Sequence, residues 1–227
     1  MTTTIAFTLT VALYFIALHV NIASEVVAAI KVAPMGVLLV APALDEDVEF
    51  NRERRYLAVG QIFCSFGDIM LEVHVGDREV NLRHFLIGLI AFAFGHLFYM
   101  AAFMQGGIQL RLVTMALVGG YASAVVYVLH PYLPEPLVLP VVVYSNIIAG
   151  MTALAISRVP KSYNLREPGA PEAYVSGALG AASFMVSDTF LAVRRFAWRF
   201  PGGKDLVMLT YYLGQLGIAY SAWPSST

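Results

Sequence analysis

The sequence predicts an all-α, polytopic membrane protein, a bundle of eight transmembrane helices forming one domain over residues 1–227. Two observations carry that prediction. The first is composition: 59% of residues are hydrophobic and 13% charged, against roughly 45–50% and about 25% in soluble domains. The second is segmentation. A helix needs roughly 20 mostly apolar residues to cross hydrocarbon, and eight such segments follow one another, at 5–22, 24–43, 56–73, 84–104, 110–130, 136–157, 173–193 and 205–223.

The first segment starts almost at Met1 with no basic flank and no small-residue cleavage site, so it is expected to remain as a helix. The second carries Lys31, with Pro34 and Pro42 as interruptions. A charged run, 45–55 (DEDVEFNRERR), separates it from the third, and the polar stretch 75–83 precedes the fourth. The fifth and sixth are joined by PYLPEP, which reads as a tight turn. Residues 157–171, with Lys161, Asn164 and Arg166, lead to the seventh, and FPGGK ends it and opens the eighth.

An even number of spans puts both termini on one side. The basic residues divide almost evenly between the two sides, so the positive-inside rule gives no orientation. A net charge of −1 gives no electrostatic case for nucleic acid, and the hydropathy assigns the chain to the membrane. The single cysteine, Cys64, lies within a span and has no disulfide partner. Oligomeric state is left open.

Two aspartates stand inside apolar stretches: Asp68 in YLAVGQIFCSFGDIMLEV and Asp188 in YVSGALGAASFMVSDTFLAV. A carboxylate in hydrocarbon is costly unless it is protonated, paired or facing a wet cavity. Each lies about five residues from the end of an odd-numbered segment, so both are roughly 7–8 Å inside the same leaflet. Lys31 reaches a similar depth from the start of the second segment. Three ionisable groups from three helices are therefore expected at one level.

Further polar residues surround that level. Gln61, Ser65, Asp68 and Glu72 recur on one face of the third segment, and His96 and Tyr99 share a face of the fourth. Tyr144, Ser145 and Asn146 are mid-span in the sixth; Tyr211, Tyr212 and Gln215 lie in the eighth. Small residues at Gly177, Gly180, Ala181 and Ser183 would let the seventh approach its neighbours closely. The pattern fits a polar-lined cavity open towards one leaflet.

Plainer readings exist for each residue. Lys31 and Asp68 fit a buried ion pair that fixes helix register, and Asp188 fits a solvated group beside Arg194 and Arg195. His96 fits a hydrogen-bonded core residue. His19, His74, His84, His130 and Glu72 are near span ends, where solvation is expected. With one histidine well inside the bundle, no metal site is expected. HExxH, GxSxG and a helix-opening GxGxxG are missing from the sequence, so serine nucleophiles and dinucleotide binding have no support.

At these residues the chain resembles the YhhN-type lysoplasmalogenase family of eight-span membrane hydrolases. The likeness covers nearly the whole chain in order: Lys31-x-x-Pro34, Gly67-Asp68, Gly95-His96-x-x-Tyr99, Tyr144, Ser187-Asp188 and Tyr211-Tyr212-x-x-Gln215. Lys31-x-x-Pro34 resembles the animal branch, where bacterial members carry Lys-Pro directly, which points to an endoplasmic-reticulum protein if the source is eukaryotic. The resemblance implies hydrolysis of the vinyl ether of lysoplasmalogens to a fatty aldehyde and glycerophosphoethanolamine or glycerophosphocholine. It implies Asp68 and Asp188 as catalytic, and a lysophospholipid substrate met within the bilayer. Lys31, His96, Tyr99, Tyr144, Asn146, Ser187, Tyr211 and Gln215 are the expected substrate-binding set, with no metal or cofactor.

The chemistry suits two carboxyl groups. Protonating the β-carbon of a vinyl ether leaves an oxocarbenium ion; water adds there, and the hemiacetal collapses to aldehyde and alcohol. One group must hold a proton and another must stabilise the cation and activate water. Lys31 is expected to bind phosphate or to tune one aspartate, and His96, Tyr99, Tyr211 and Gln215 to orient substrate and water. The competing class is a transporter or proton-coupled carrier, because intramembrane Asp, Lys and His also build proton relays.

Overall fold

The computed structural model of the chain describes residues 2–20, 22–41, 51–72, 78–105, 107, 110–159 and 170–222. Pro42, His74, Lys161, Asn164 and Arg166 lie outside them. Eight α-helices run through the described residues, which contain no strand: α1 Thr2–His19, α2 Ser24–Val40, α3 Arg52–Glu72, α4 Arg78–Phe103, α5 Leu112–Leu129, α6 Glu135–Arg158, α7 Ala170–Ala192 and α8 Gly203–Tyr220. The PYLPEP stretch forms a short 3₁₀ turn, His130–Tyr132, and then enters α6 with a proline in its first turn, where a missing N–H costs no helical bond. A π-helical turn, Val193–Ala197, extends α7. Contrary to expectation, Pro34 does not interrupt α2, which continues through it to Val40.

Six helices close into a ring in the order α2, α3, α4, α6, α7, α8, with α8 returning to α2 and α3. The other two lie outside it. α5 leans on α6, and α1 packs on α2 while Phe7, Tyr14 and Phe15 set their rings edge-on against Tyr212 of α8.

Five of the eight helical segments are long and apolar enough to cross a membrane: Thr2–His19, Asn81–Phe103, Leu112–Tyr132, Glu135–Arg158 and Glu172–Ala197. The expectation of eight apolar spans is thus met in part, and the physical reason lies in the shortfall. α2 is only 17 residues long and holds Lys31. α3 opens with RERR and carries Gln61, Asp68 and Glu72, and α8 opens on Lys204 and Asp205 and carries Gln215. These three helices turn their polar side chains towards each other, so they need less apolar surface than α1 or α5.

Small residues let the ring close tightly. A Cβ added to Gly60 of α3 would stand 2.9 Å from the Gly95 carbonyl oxygen of α4. One added to Gly180 of α7 would stand 2.6 Å from the Ile218 nitrogen of α8, and one on Gly217 would stand 2.7 Å from the Gly180 Cα. Backbone is therefore in contact with backbone, the close approach that small residues permit in membranes. Between α7 and α8 the chain turns at Gly202, whose φ of 67° is a left-handed conformation that suits glycine.

Gly180→Val should lower stability in detergent by about 1–3 kcal/mol or more, because rigid backbone meets the new side chain. Gly120→Ala, with open space around its Cβ position, should leave stability unchanged or raise it by about 0.5–1 kcal/mol. Thermal unfolding of the two variants beside the parent chain measures both.

Candidate active site

Every helix of the ring sends a polar side chain to its interior. Lys31 comes from α2, Asp68 from α3, His96 and Tyr99 from α4, Tyr144 from α6, Asp188 from α7, and Tyr211 and Gln215 from α8. A cavity of about 670 Å³ opens beside them, and its walls include Lys31, Asp68, Glu72, Asp188 and Tyr211. The expected common level of Lys31 and the two aspartates corresponds to one shared cavity.

Lys31 is nearly enclosed. Its ammonium stands 3.2 Å from Asp68 Oδ1 and 3.4 Å from Glu72 Oε2, and 3.5 Å from the Asp68 carbonyl oxygen. Lys204 donates to the other Glu72 oxygen at 2.9 Å. Glu72 is therefore not a solvated group at the membrane edge. It joins two lysines, and its side chain is only 11% exposed. The sequence signal was present: Glu72 is one turn beyond Asp68 on the same face.

Asp68 is held from its other side by the Tyr211 hydroxyl, which donates to Oδ2. Behind it runs a chain of hydrogen bonds. Gln215 Nε2 donates to the Tyr211 oxygen at 3.1 Å, and the Tyr99 hydroxyl donates to Gln215 Oε1 at 2.7 Å. Tyr212 points elsewhere, donating to the Lys31 carbonyl at 2.9 Å and tying α8 to α2.

Asp188 has different company. The Tyr144 hydroxyl donates to its Oδ2, and among the described residues no lysine, arginine or histidine nitrogen lies within 4.0 Å of it. Ser187 uses its hydroxyl on the Val207 carbonyl at 2.7 Å, pinning α7 to α8 beside the aspartate.

Other members of the expected set fall behind the walls or away from them. His96 is fully buried, its ring 4.6 Å from that of Phe184 and 5.5 Å from that of Tyr144. Its nitrogens make no well-formed hydrogen bond; the Phe92 carbonyl one turn back is a weak partner. His96, Tyr99 and Gln215 thus form a layer that supports the wall and do not line the cavity. Asn146 departs from the set altogether. It bonds the Val142 carbonyl at 2.8 Å and faces a groove between α5 and α6. Two residues after Tyr144 is about 200° around a helix, so the two side chains leave opposite faces. Among the described residues no three His, Cys, Asp or Glu side chains converge as metal ligands would.

The sequence profile of the YhhN family matches residues 26–222, which include every residue of this constellation. The chain belongs to the YhhN family. As a member of it, the chain is 31% identical over 167 residues to lysoplasmalogenase TMEM86A of Homo sapiens, covering 72% of this chain and 63% of that protein. It is 33% identical over 141 residues to lysoplasmalogenase TMEM86B of Sus scrofa, covering 60% of this chain and 53% of the relative. The chain therefore spans less than two thirds of the length of these relatives. No solved structure matches it significantly.

Lys31→Met should lower stability by about 3–5 kcal/mol, because it leaves buried carboxylates without their cation. Adding Asp68→Asn should recover a large part of that loss, since Glu72 keeps Lys204. A double-mutant cycle on unfolding in detergent measures the coupling.

Proposed function

We propose that this protein is a multi-pass membrane hydrolase that cleaves the vinyl ether bond of lysoplasmalogens, releasing a fatty aldehyde and glycerophosphoethanolamine or glycerophosphocholine. One observation carries the reading: Asp188 stands where two unlike spaces meet. On one side is the charged cavity. On the other is a narrow cleft of about 70 Å³ between α4, α5, α6 and α7, walled by Phe85, Leu89, Val141, Ile148 and Met185. Leu71, Phe92, Asp188, Leu191 and Phe196 border both spaces. A substrate suited to that junction is an amphiphile whose reacting bond lies between a polar head and an apolar chain. The lysoplasmalogenases among the relatives favour this reading over a proton-coupled carrier.

The two carboxyl groups divide the chemistry by their company. Asp188, with a neutral hydroxyl as its partner and apolar wall beside it, gives a proton to the β-carbon of the vinyl ether. Asp68, balanced by Lys31, remains the anion that stabilises the oxocarbenium ion and takes a proton from the attacking water. The hemiacetal then breaks its bond to the glycerol oxygen, which takes the proton held by Asp68, while the hemiacetal hydroxyl gives its proton to Asp188 as the aldehyde forms, so both carboxyl groups return to their starting states. Tyr144 positions Asp188 and Tyr211 positions Asp68. Gln215, Tyr99 and His96 fix those tyrosines and the surrounding wall, and Ser187 holds the backbone of α7. All eight helices cross the bilayer as one domain in this reading, in the endoplasmic reticulum if the source cell is eukaryotic.

Purified protein should release aldehyde from lysoplasmenylethanolamine and none from the saturated-ether analogue. Asp68→Asn and Asp188→Asn should each lower turnover at least about 100-fold in folded protein. Near-normal turnover in both variants would refute the assignment, and solute flux through vesicles without aldehyde release would replace the hydrolase by a carrier.

A further inference from the structure

The charged cavity holds more cation than its acids require. Five basic side chains border it (Lys31, Arg194, Arg195, Arg199 and Lys204) against three carboxyl groups, Asp68, Glu72 and Asp188. The two lysines are engaged by Asp68 and Glu72. Among the described residues, none of the three guanidinium groups has a carboxylate within 4.0 Å. We propose that Arg194, Arg195 and Arg199 form a binding site for a phosphodiester anion, the headgroup phosphate of the lysolipid, and that Lys31 does not bind it. The proposal rests on the hydrolase reading for the identity of the lipid, and on the cavity's own charge for the site.

Three features prepare these arginines. First, their place in the chain is fixed relative to Asp188. Arg194 follows it by six residues, about 9 Å along the helix axis, and side chains on a helix lean back towards its N-terminus. A phosphate there would be one glycerol unit from an ether oxygen at Asp188. Second, the residues Val193–Ala197 form a π-helical turn, a local widening that recurs at functional sites. Third, two of the side chains are braced. The Arg195 guanidinium lies 4.5 Å from the centre of the Phe85 ring, a cation–π contact. The Arg194 stem packs where Gly203 lacks a side chain: a Cβ there would be 3.1 Å from Arg194 Cδ. A planar guanidinium offers paired N–H donors that match phosphate oxygens, which an ammonium does not.

Lys31 is poorly suited to that role. Its ammonium sits between two carboxylates at 3.2 and 3.4 Å, within a cluster that Lys204 brings to neutrality, so it offers an approaching phosphate no net positive charge. The three arginines present that charge.

The test is equilibrium binding to the purified full chain by calorimetry, with three probes: a saturated-ether lysophosphatidylethanolamine, the phosphate-free alkylglycerol of equal chain length, and inorganic phosphate. The Arg194→Gln/Arg195→Gln/Arg199→Gln variant should bind the phospholipid about tenfold more weakly or worse and the alkylglycerol unchanged. Arg199→Gln alone, at an exposed position, should give a smaller loss and serves if the triple variant does not fold. With the vinyl ether substrate, the loss should appear in KM and not in kcat. Equal binding of both lipids by the parent protein, or equal weakening of both in the variant, would overturn the site. Inorganic phosphate binding as tightly as the lysolipid would overturn its assignment to a lipid headgroup. Selective phospholipid binding without aldehyde release would sink the hydrolase reading and leave the phosphate site standing.

Discussion

Four charges from three helices meet inside the ring: Lys31 of α2, Asp68 and Glu72 of α3, and Lys204 of α8. Their formal sum is zero: Lys31 lies between Asp68 and Glu72, Lys204 pairs with Glu72, and no carboxylate of the group lacks a cation. That balance is the constraint on which the rest of the architecture depends. Ions removed from water are costly unless matched closely and hydrogen-bonded, so α2, α3 and α8 must meet with their polar faces inward. Once they do, their outward demand for apolar residues falls. This is why the three helices short of a span's length or hydropathy are the three that hold the cluster. α1 and α5, outside the ring, carry no lysine, arginine, aspartate or glutamate.

Meeting closely requires removing bulk between backbones. Glycines do this at the α3–α4 and α7–α8 contacts, where an added Cβ would strike carbonyl oxygen, amide nitrogen or Cα. The two pairs frame opposite sides of the cavity, with Asp68 on α3 and Asp188 on α7. Hydrogen bonds then settle rotation about each helix axis. Ser187, Ser183 and Ser176 of α7 all donate to carbonyls of α8. The chain Tyr99–Gln215–Tyr211–Asp68 crosses from α4 through α8 to α3. A carboxyl group fixed in this way has its orientation set through Tyr211 by Gln215 and Tyr99, which do not line the cavity.

Helix rise made part of this site legible in advance. Rise per residue is fixed, so counting from segment ends brought Lys31, Asp68 and Asp188 to one level. Rotation was harder to read. Asn146 shared the depth of Tyr144 but not its face, and apolar residues on all sides of α6 gave no moment from which to choose. His96, Tyr99 and Gln215 shared a face with residues of the cavity wall, yet they do not line the cavity, which only packing decides. Glu72 was misread for a different reason. Hydropathy treats charge near a span end as solvated, whereas this side chain lies in the cavity wall between two lysines.

The contrast between the two aspartates follows from the same charge balance. The lysines neutralise Asp68 and Glu72 and stop there, leaving Asp188 with a tyrosine hydroxyl and an apolar cleft beside it. Two identical side chains in one cavity thus stand in unlike surroundings, and the proposed division into anion and proton donor rests on that difference. The surplus cations stand farther out, on the turn beyond α7, where they border the cavity with no carboxylate among the described residues within 4.0 Å. Polarity therefore changes in sequence along one path: guanidinium groups farthest out, the Lys31–Asp68 pair inside, Asp188 at the junction, and an apolar cleft beyond it. A single-chain ether lipid carries the complementary sequence of phosphate, glycerol, ether and alkyl chain. That correspondence, read along the path and not at any one residue, is what the ring's geometry contributes to the proposed chemistry.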